Sequence, residues 1–334
     1  MIPKITRALL TFIFCWASVA TLNASAAEGA ARANGPLMER THFLIPAGPG
    51  GGWDGTARGI GEALRQSKLV TDVSYENLSG GGGGRAIAKL IESADRQQHT
   101  LLISSTPIVV RSLQGIFPQS FRDLKVIGSV IADYSAILVR ADSTHASFSS
   151  LAAGFRANPR DVKVAGGSVR GSTDHFILAK ALALTGGDPR SVIYVPYDGG
   201  GKAMAGLLTG ESDALSTGLS EAIDMHMAGK VRIIAISAPE RIAELPDVPT
   251  LKEQGVNLTF ANWRGFFAAP GLPEARYQEM INTVEAVVKT DAFESVRSRN
   301  GWSRLPLTGR AFYNYLENQE REIGELMRDI GYLN

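Results

Sequence analysis

Five short segments hold most of the residues that could recognise or react with a small molecule, and several resemble known chemistries at first sight. Gly50, Gly52 and Gly55 fit the G-x-G-x-x-G spacing that lets a strand-to-helix turn admit a pyrophosphate, and Glu76 stands where an acid would take a ribose hydroxyl. Trp53 and Asp54 oppose that use, because they would put bulk and negative charge against the phosphates. Gly201-Lys202 runs into Ala203 and Gly229-Lys230 into Val231, whereas a triphosphate loop needs Ser or Thr after the lysine. Ser168 cannot serve as a hydrolase nucleophile of the elbow type, since Arg170 occupies the position that requires glycine. The five histidines are scattered without metal-ligand spacing, and the single cysteine, Cys15, rules out an internal disulfide.

What remains is recognition by backbone. Pro49, Gly50, Gly51, Gly52, Trp53 and Asp54 form one loop; Gly81 and Gly82 lie in a run of five glycines; Ser105 and Thr106 follow a β-rich run. Later come Gly167, Ser168, Arg170, Ser172, Thr173 and His175, then Tyr197, Gly199 and Gly200. Glycine lets main chain approach a ligand closely and form concave nests of N–H groups that favour anions. Arg170 is the side chain best shaped to bind a carboxylate in bidentate fashion. Asp54 occupies a position suited to capping a helix N-terminus, Trp53 can either close over a ligand or pack inside, and His175 fits the first turn of a helix.

These loops need a frame. Runs at 41–46, 71–77, 100–104, 162–166, 192–196, 213–216 and 231–237 read as strands, separated by glycine-rich turns and helical patterns, so the spacing predicts parallel sheets flanked by helices. Ligands of such sheets sit beyond the carboxyl ends of the strands, where the loops lie. Pro273 can open a helix whose Tyr277, Met280, Ile281, Val284, Val287 and Val288 share a face. Thr308 can cap a last helix carrying Phe312, Tyr315, Leu316, Ile323, Leu326, Met327 and Ile330 on one stripe.

The first 26 residues read as a secretory signal: Lys4 and Arg7, an apolar stretch from 8 to 20, and Ala24, Ser25, Ala26 as a small-residue cleavage site. Cleavage after Ala26 removes Cys15 and both early cations, taking the formal charge from +1 to −1. A balanced surface offers no broad field for nucleic acid. The remaining length suits two lobes better than one core.

With their order and spacing, the motif from Pro49 to Arg58, the glycine run after Asn77, Gly167-Ser168 before His175, and Tyr197-Asp198-Gly199-Gly200-Gly201 resemble the solute-binding receptors of tripartite tricarboxylate transporters, the Bug family of periplasmic proteins. The resemblance implies a two-lobed type II periplasmic-binding-protein fold that closes on a di- or tricarboxylate of the citrate kind. It further implies delivery to membrane permease subunits, with no cofactor, no metal and no catalysis, by a monomer. By the same resemblance, lobe 1 comprises 41–135 and 238–334 and lobe 2 comprises 136–237, with hinges at 133–136 and 237–239. A sensor that docks its closed form on a sensor kinase, and a dinucleotide-binding enzyme, are the alternative readings.

Overall fold

The computed structural model describes residues 35–333. The signal segment lies outside the described residues.

The strands are β1 (Met38–Ile45), β2 (Val70–Asn77), β3 (Thr100–Ser105), β4 (Lys125–Arg140) and β5 (Lys163–Gly166). Beyond these come β6 (Ile193–Pro196), β7 (Ala214–Gly218), β8 (Val231–Ile236), β9 (Ala261–Ala268) and β10 (Ser303–Thr308). The central strands β3, β4, β7 and β9 are buried along nearly their whole length, whereas the outlying β2 and β10 are partly exposed. Among the helices, α1 is Gly52–Gln66, α2 Gly84–Glu92, α3 Pro107–Leu113, α4 Phe148–Ala157 and α5 Thr173–Ala183. The rest are α6 (Gly200–Thr209), α7 (Ile223–Met227), α8 (Glu274–Val287), α9 (Asp291–Arg299) and α10 (Gly309–Asp329).

Two sheets share one strand. In the first, β2, β1 and β3 run parallel and are continued by antiparallel β9, β4 and β10. In the second, β6, β5 and β7 run parallel and are continued by antiparallel β4 and β8. The fold is thus the expected two-lobed α/β architecture. The parallel part is the outer three strands of each sheet, and the inner strands are antiparallel because the chain enters and leaves each lobe through them. β4 pairs with β9 as far as Tyr134, opposite Ala261, and with β7 from Ser135, opposite Gly218. It therefore changes sheets between two adjacent residues, and Ser237 stitches the crossing: its Oγ accepts from the Ser135 N–H at 2.9 Å and donates to the Phe260 carbonyl at 2.6 Å.

The two C-terminal helices pack as their stripes require, with Met280, Ile281, Val284 and Val287 of α8 and Phe312, Leu316, Ile323 and Met327 of α10 buried. Their starts differ from expectation. Pro273 is the residue before α8 rather than in its first turn. Thr308 occupies the N-cap position of α10, but its hydroxyl donates to Glu285 at 2.6 Å instead of accepting from the helix. No helix among the described residues is long and apolar enough to cross a membrane.

Candidate functional site

The carboxyl ends of both sets of parallel strands face one another across a cavity of about 450 Å³. From the first sheet come the loops after β1, β2 and β3; from the second, those after β5, β6 and β7. The two sides meet around it. Ser79 donates to Asp198 at 2.6 Å, Gln114 to the Gly171 carbonyl at 3.0 Å, and Arg111 to the Arg170 carbonyl at 3.3 Å.

In the first loop Gly51, Gly52 and Trp53 line the cavity. The Trp53 indole N–H donates to Ser105 Oγ at 2.9 Å, which fixes the ring as part of the wall. Pro49, Gly50 and Asp54 are not lining residues. Gly51, not Asp54, is the N-cap of α1, and the Asp54 carboxylate turns back on its own loop. It accepts from the Gly50 N–H at 3.0 Å, from Arg58 at 2.9 Å and from Asn77 at 2.9 Å. Burial works against its charge, yet the bonds from Arg58, Gly50 and Asn77 hold its pKa below the ordinary value. Asp54 therefore braces the turn.

Gly81, Gly82 and Ser105 line the cavity; Thr106 lies behind it, fully buried, with its N–H toward Asn262 Oδ1 at 3.4 Å. In the second lobe Gly167, Ser168, Ser172, Thr173, Tyr197, Gly199 and Gly200 come together as lining residues. Gly199 takes φ of 101°, and a Cβ at Gly167 would collide with the backbone of Gly199 and Gly200, so main chain packs on main chain here. Arg170 and His175 are outside. Arg170 Nη2 donates to the Tyr194 carbonyl at 3.0 Å. His175 is packed between the tilted rings of Tyr194 and Tyr332, with centroids at 4.6 and 5.3 Å, and its Nδ1 accepts from the Gly171 N–H at 3.0 Å. Burial, with the nearby Arg170 charge, pulls its pKa down to about 4, so the ring is neutral and supports the loop. Glu76 is likewise engaged, by Lys89 at 2.6 Å, and is not free for a ribose.

Not apparent from sequence patterning is a set of charges at the cavity, Asp133 and Arg264 buried and Glu221 and Asp174 half-buried. Arg264 of β9 reaches the cavity floor, donating from Nη1 to Ser105 Oγ at 3.1 Å and from Nη2 to Asp133 Oδ2 at 3.4 Å. Asp133 also accepts from the Ser220 hydroxyl at 2.8 Å. Glu221 lines the cavity and accepts from the Thr217 hydroxyl and from the Gly218 N–H at 3.3 Å. Asp174 completes the set. Burial raises the pKa of all three acids, that of Asp174 to about 7 with help from the Glu221 charge, while Arg264 pulls in the opposite direction. A lone charge in an apolar run, Asp133 in VIADYSAILV and Arg264 in WRGFFA, is the sequence signal for such a pair. Among the described residues no group of three or more His, Cys, Asp or Glu could hold a metal ion.

Known proteins resemble this chain in sequence and in fold. Residues 56–332 match the model of the tripartite tricarboxylate transporter family receptor. A UPF0065 protein from the tcbD-tcbE intergenic region of Pseudomonas sp. (strain P51) is 28% identical over 260 residues, 76% of each chain. The fold is shared with the periplasmic binding protein BugD, at a TM-score of 0.80 and 21% identity over 88% of this chain and 98% of that one. An R. palustris protein solved with adipate gives 0.79 and 22%, over 89% and 98%. The chain therefore belongs to the Bug family of tripartite tricarboxylate transporter receptors.

Proposed function

We propose that this receptor captures a small carboxylate of the di- or tricarboxylate class between its lobes and hands it to membrane permease subunits. The carrying observation is the cavity itself: it lies between two sets of strand ends, and much of its wall is glycine backbone and hydroxyl groups from both sides. Such walls offer N–H and O–H donors to an anion without needing a fixed cation. Adipate in a structural neighbour supports the ligand class. From the residues lining the cavity we take Gly51, Gly52, Trp53, Gly81, Gly82, Ser105, Gly167, Ser168, Ser172, Thr173, Tyr197, Gly199 and Gly200 as the contact set.

The segments 41–135 and 238–334 are taken to move as lobe 1 and 136–237 as lobe 2, flexing at 133–136 and 237–239, where β4 changes sheets and β8 ends. Export would follow cleavage after Ala26, with Ala27 as the first residue recovered from periplasm. The test of function is a thermal-shift and titration series with di- and tricarboxylates on protein freed of carried-over ligand. A ligand at 100 times its Kd adds about 2.7 kcal/mol of stability. A shift confined to carboxylates is expected; silence across all of them would overturn the reading.

A further inference from the structure

The loop that follows β5 gives the cavity Gly167, Ser168, Val169, Ser172 and Thr173, yet much of what holds it comes from elements of the first sheet. From one side α3 grips it. Arg111 Nη1 donates to Gln114 Oε1 at 3.0 Å and to the Arg170 carbonyl at 3.3 Å, which turns the Gln114 amide so that its Nε2 donates to the Gly171 carbonyl at 3.0 Å. From the other side comes the segment beyond α10. The Tyr332 hydroxyl lies 3.1 Å from His175 Nε2 and 3.3 Å from the Pro189 carbonyl, and Asp329 Oδ2 lies 3.7 Å from Lys180 Nζ of α5.

The direction of this chain of bonds follows from His175. Its Nδ1 accepts from the Gly171 N–H, so the neutral ring carries its proton on Nε2 and donates to Tyr332, which in turn donates to Pro189. The same ring packs on Tyr194, whose hydroxyl donates to the Ser168 carbonyl at 2.7 Å. The carbonyl of Gly171 is thus held by Gln114, and its N–H by a histidine that Tyr332 fixes. None of Arg111, Gln114, His175 and Tyr332 lines the cavity.

We propose that Gln114 and Tyr332 are positioning residues of the binding site: reaching over from the first sheet, they hold the loop 167–173 in its binding shape and the two sides together, without touching the ligand. Residues of this kind set the fraction of molecules competent to bind, so their loss lowers apparent affinity by one common factor for every ligand. A contact residue instead changes affinities unequally. The inference rests on the receptor reading above and extends it to residues outside the cavity.

Hydrogen exchange and isothermal titration of Tyr332→Phe and Gln114→Ala test it, with succinate, adipate and citrate as probes. Tyr332→Phe keeps the ring and removes only the hydroxyl. Each variant is expected to speed amide exchange across 168–176 about fivefold, as the loss of one hydrogen bond requires, and to leave β1 unchanged. Affinity for each acid that binds should fall by the same factor, about threefold, with ratios between acids kept within about twofold. Unchanged exchange across 168–176 in both variants overturns the proposal, as do faster exchange with undiminished affinity and a larger change in the ratios. A wild-type protein silent to all three acids overturns the receptor reading instead, and the exchange rates then decide by themselves whether Gln114 and Tyr332 hold the loop.

Discussion

Two clusters of charge in this molecule use the same residue types to opposite effect. On the surface, Glu294 of α9 sits between Arg297 at 2.7 Å and Arg304, with Glu294 and Arg304 exposed, and the guanidinium hydrogen bonds pull its pKa down to about 2. At the cavity floor Arg264 faces Asp133 with Glu221 and Asp174 nearby, and there burial drives the acids' pKa values upward. Pairing dominates where solvent already carries the charge; desolvation dominates where it does not. The surface group needs little from its partners, whereas the buried group depends on each of them.

That contrast breaks or holds first at Arg264. Arg264→Ala removes the guanidinium from a fully buried Asp133 and should cost about 3–5 kcal/mol in urea unfolding, because an uncompensated buried charge remains. A loss under about 1 kcal/mol would show that the floor behaves like the surface. Gly167→Ala forces a Cβ into the backbone of Gly199 and Gly200 and should cost about 1–3 kcal/mol, with at least a tenfold loss of ligand affinity by titration.

Asp174 sharpens the comparison through pH. Its folded-state pKa of about 7 lies above the ordinary 3.8, so the folded state holds the proton more tightly, and stability from this group is full below about pH 4 and lost as pH rises through 7. The ligand-free protein should lose about 2 kcal/mol relative to Asp174→Asn across that window, after allowance for water in the cavity. Glu294 has the opposite sign: its contribution is present above pH 4.5 and fades as pH falls toward 2. Glu294→Gln should cost less than about 1 kcal/mol at neutral pH, and less again in high salt.

How far these features could be read from sequence depends on how local their causes are. The glycine loops and the stripes of α8 and α10 are local patterns, and seven strands show in β-rich runs between turns. β4 and β9 were not legible as strands. Both are buried on two faces, so the alternation that marks a half-buried strand is missing, and β4 is further disguised by serving two sheets. Arg170 drew notice because it lies among glycines, yet it packs on Tyr194; Arg264 carries the cavity floor because Asp133, 131 residues earlier, meets it there. No window of sequence contains that pair.

The sharing of β4 also dictates an order of assembly. β3 has β1 on one side but finds its second neighbour only in β9, so Ser105 must wait for Arg264, 159 residues later, and the whole second sheet is synthesised in between. The first sheet cannot close from consecutive chain, and its edge stays unpaired until β9 arrives. Contacts this distant in sequence slow folding and prolong the exposure of apolar strand. Refolding from denaturant is therefore expected to show early protection of amides in β5, β6 and β7, with those of β3 and β9 protected last.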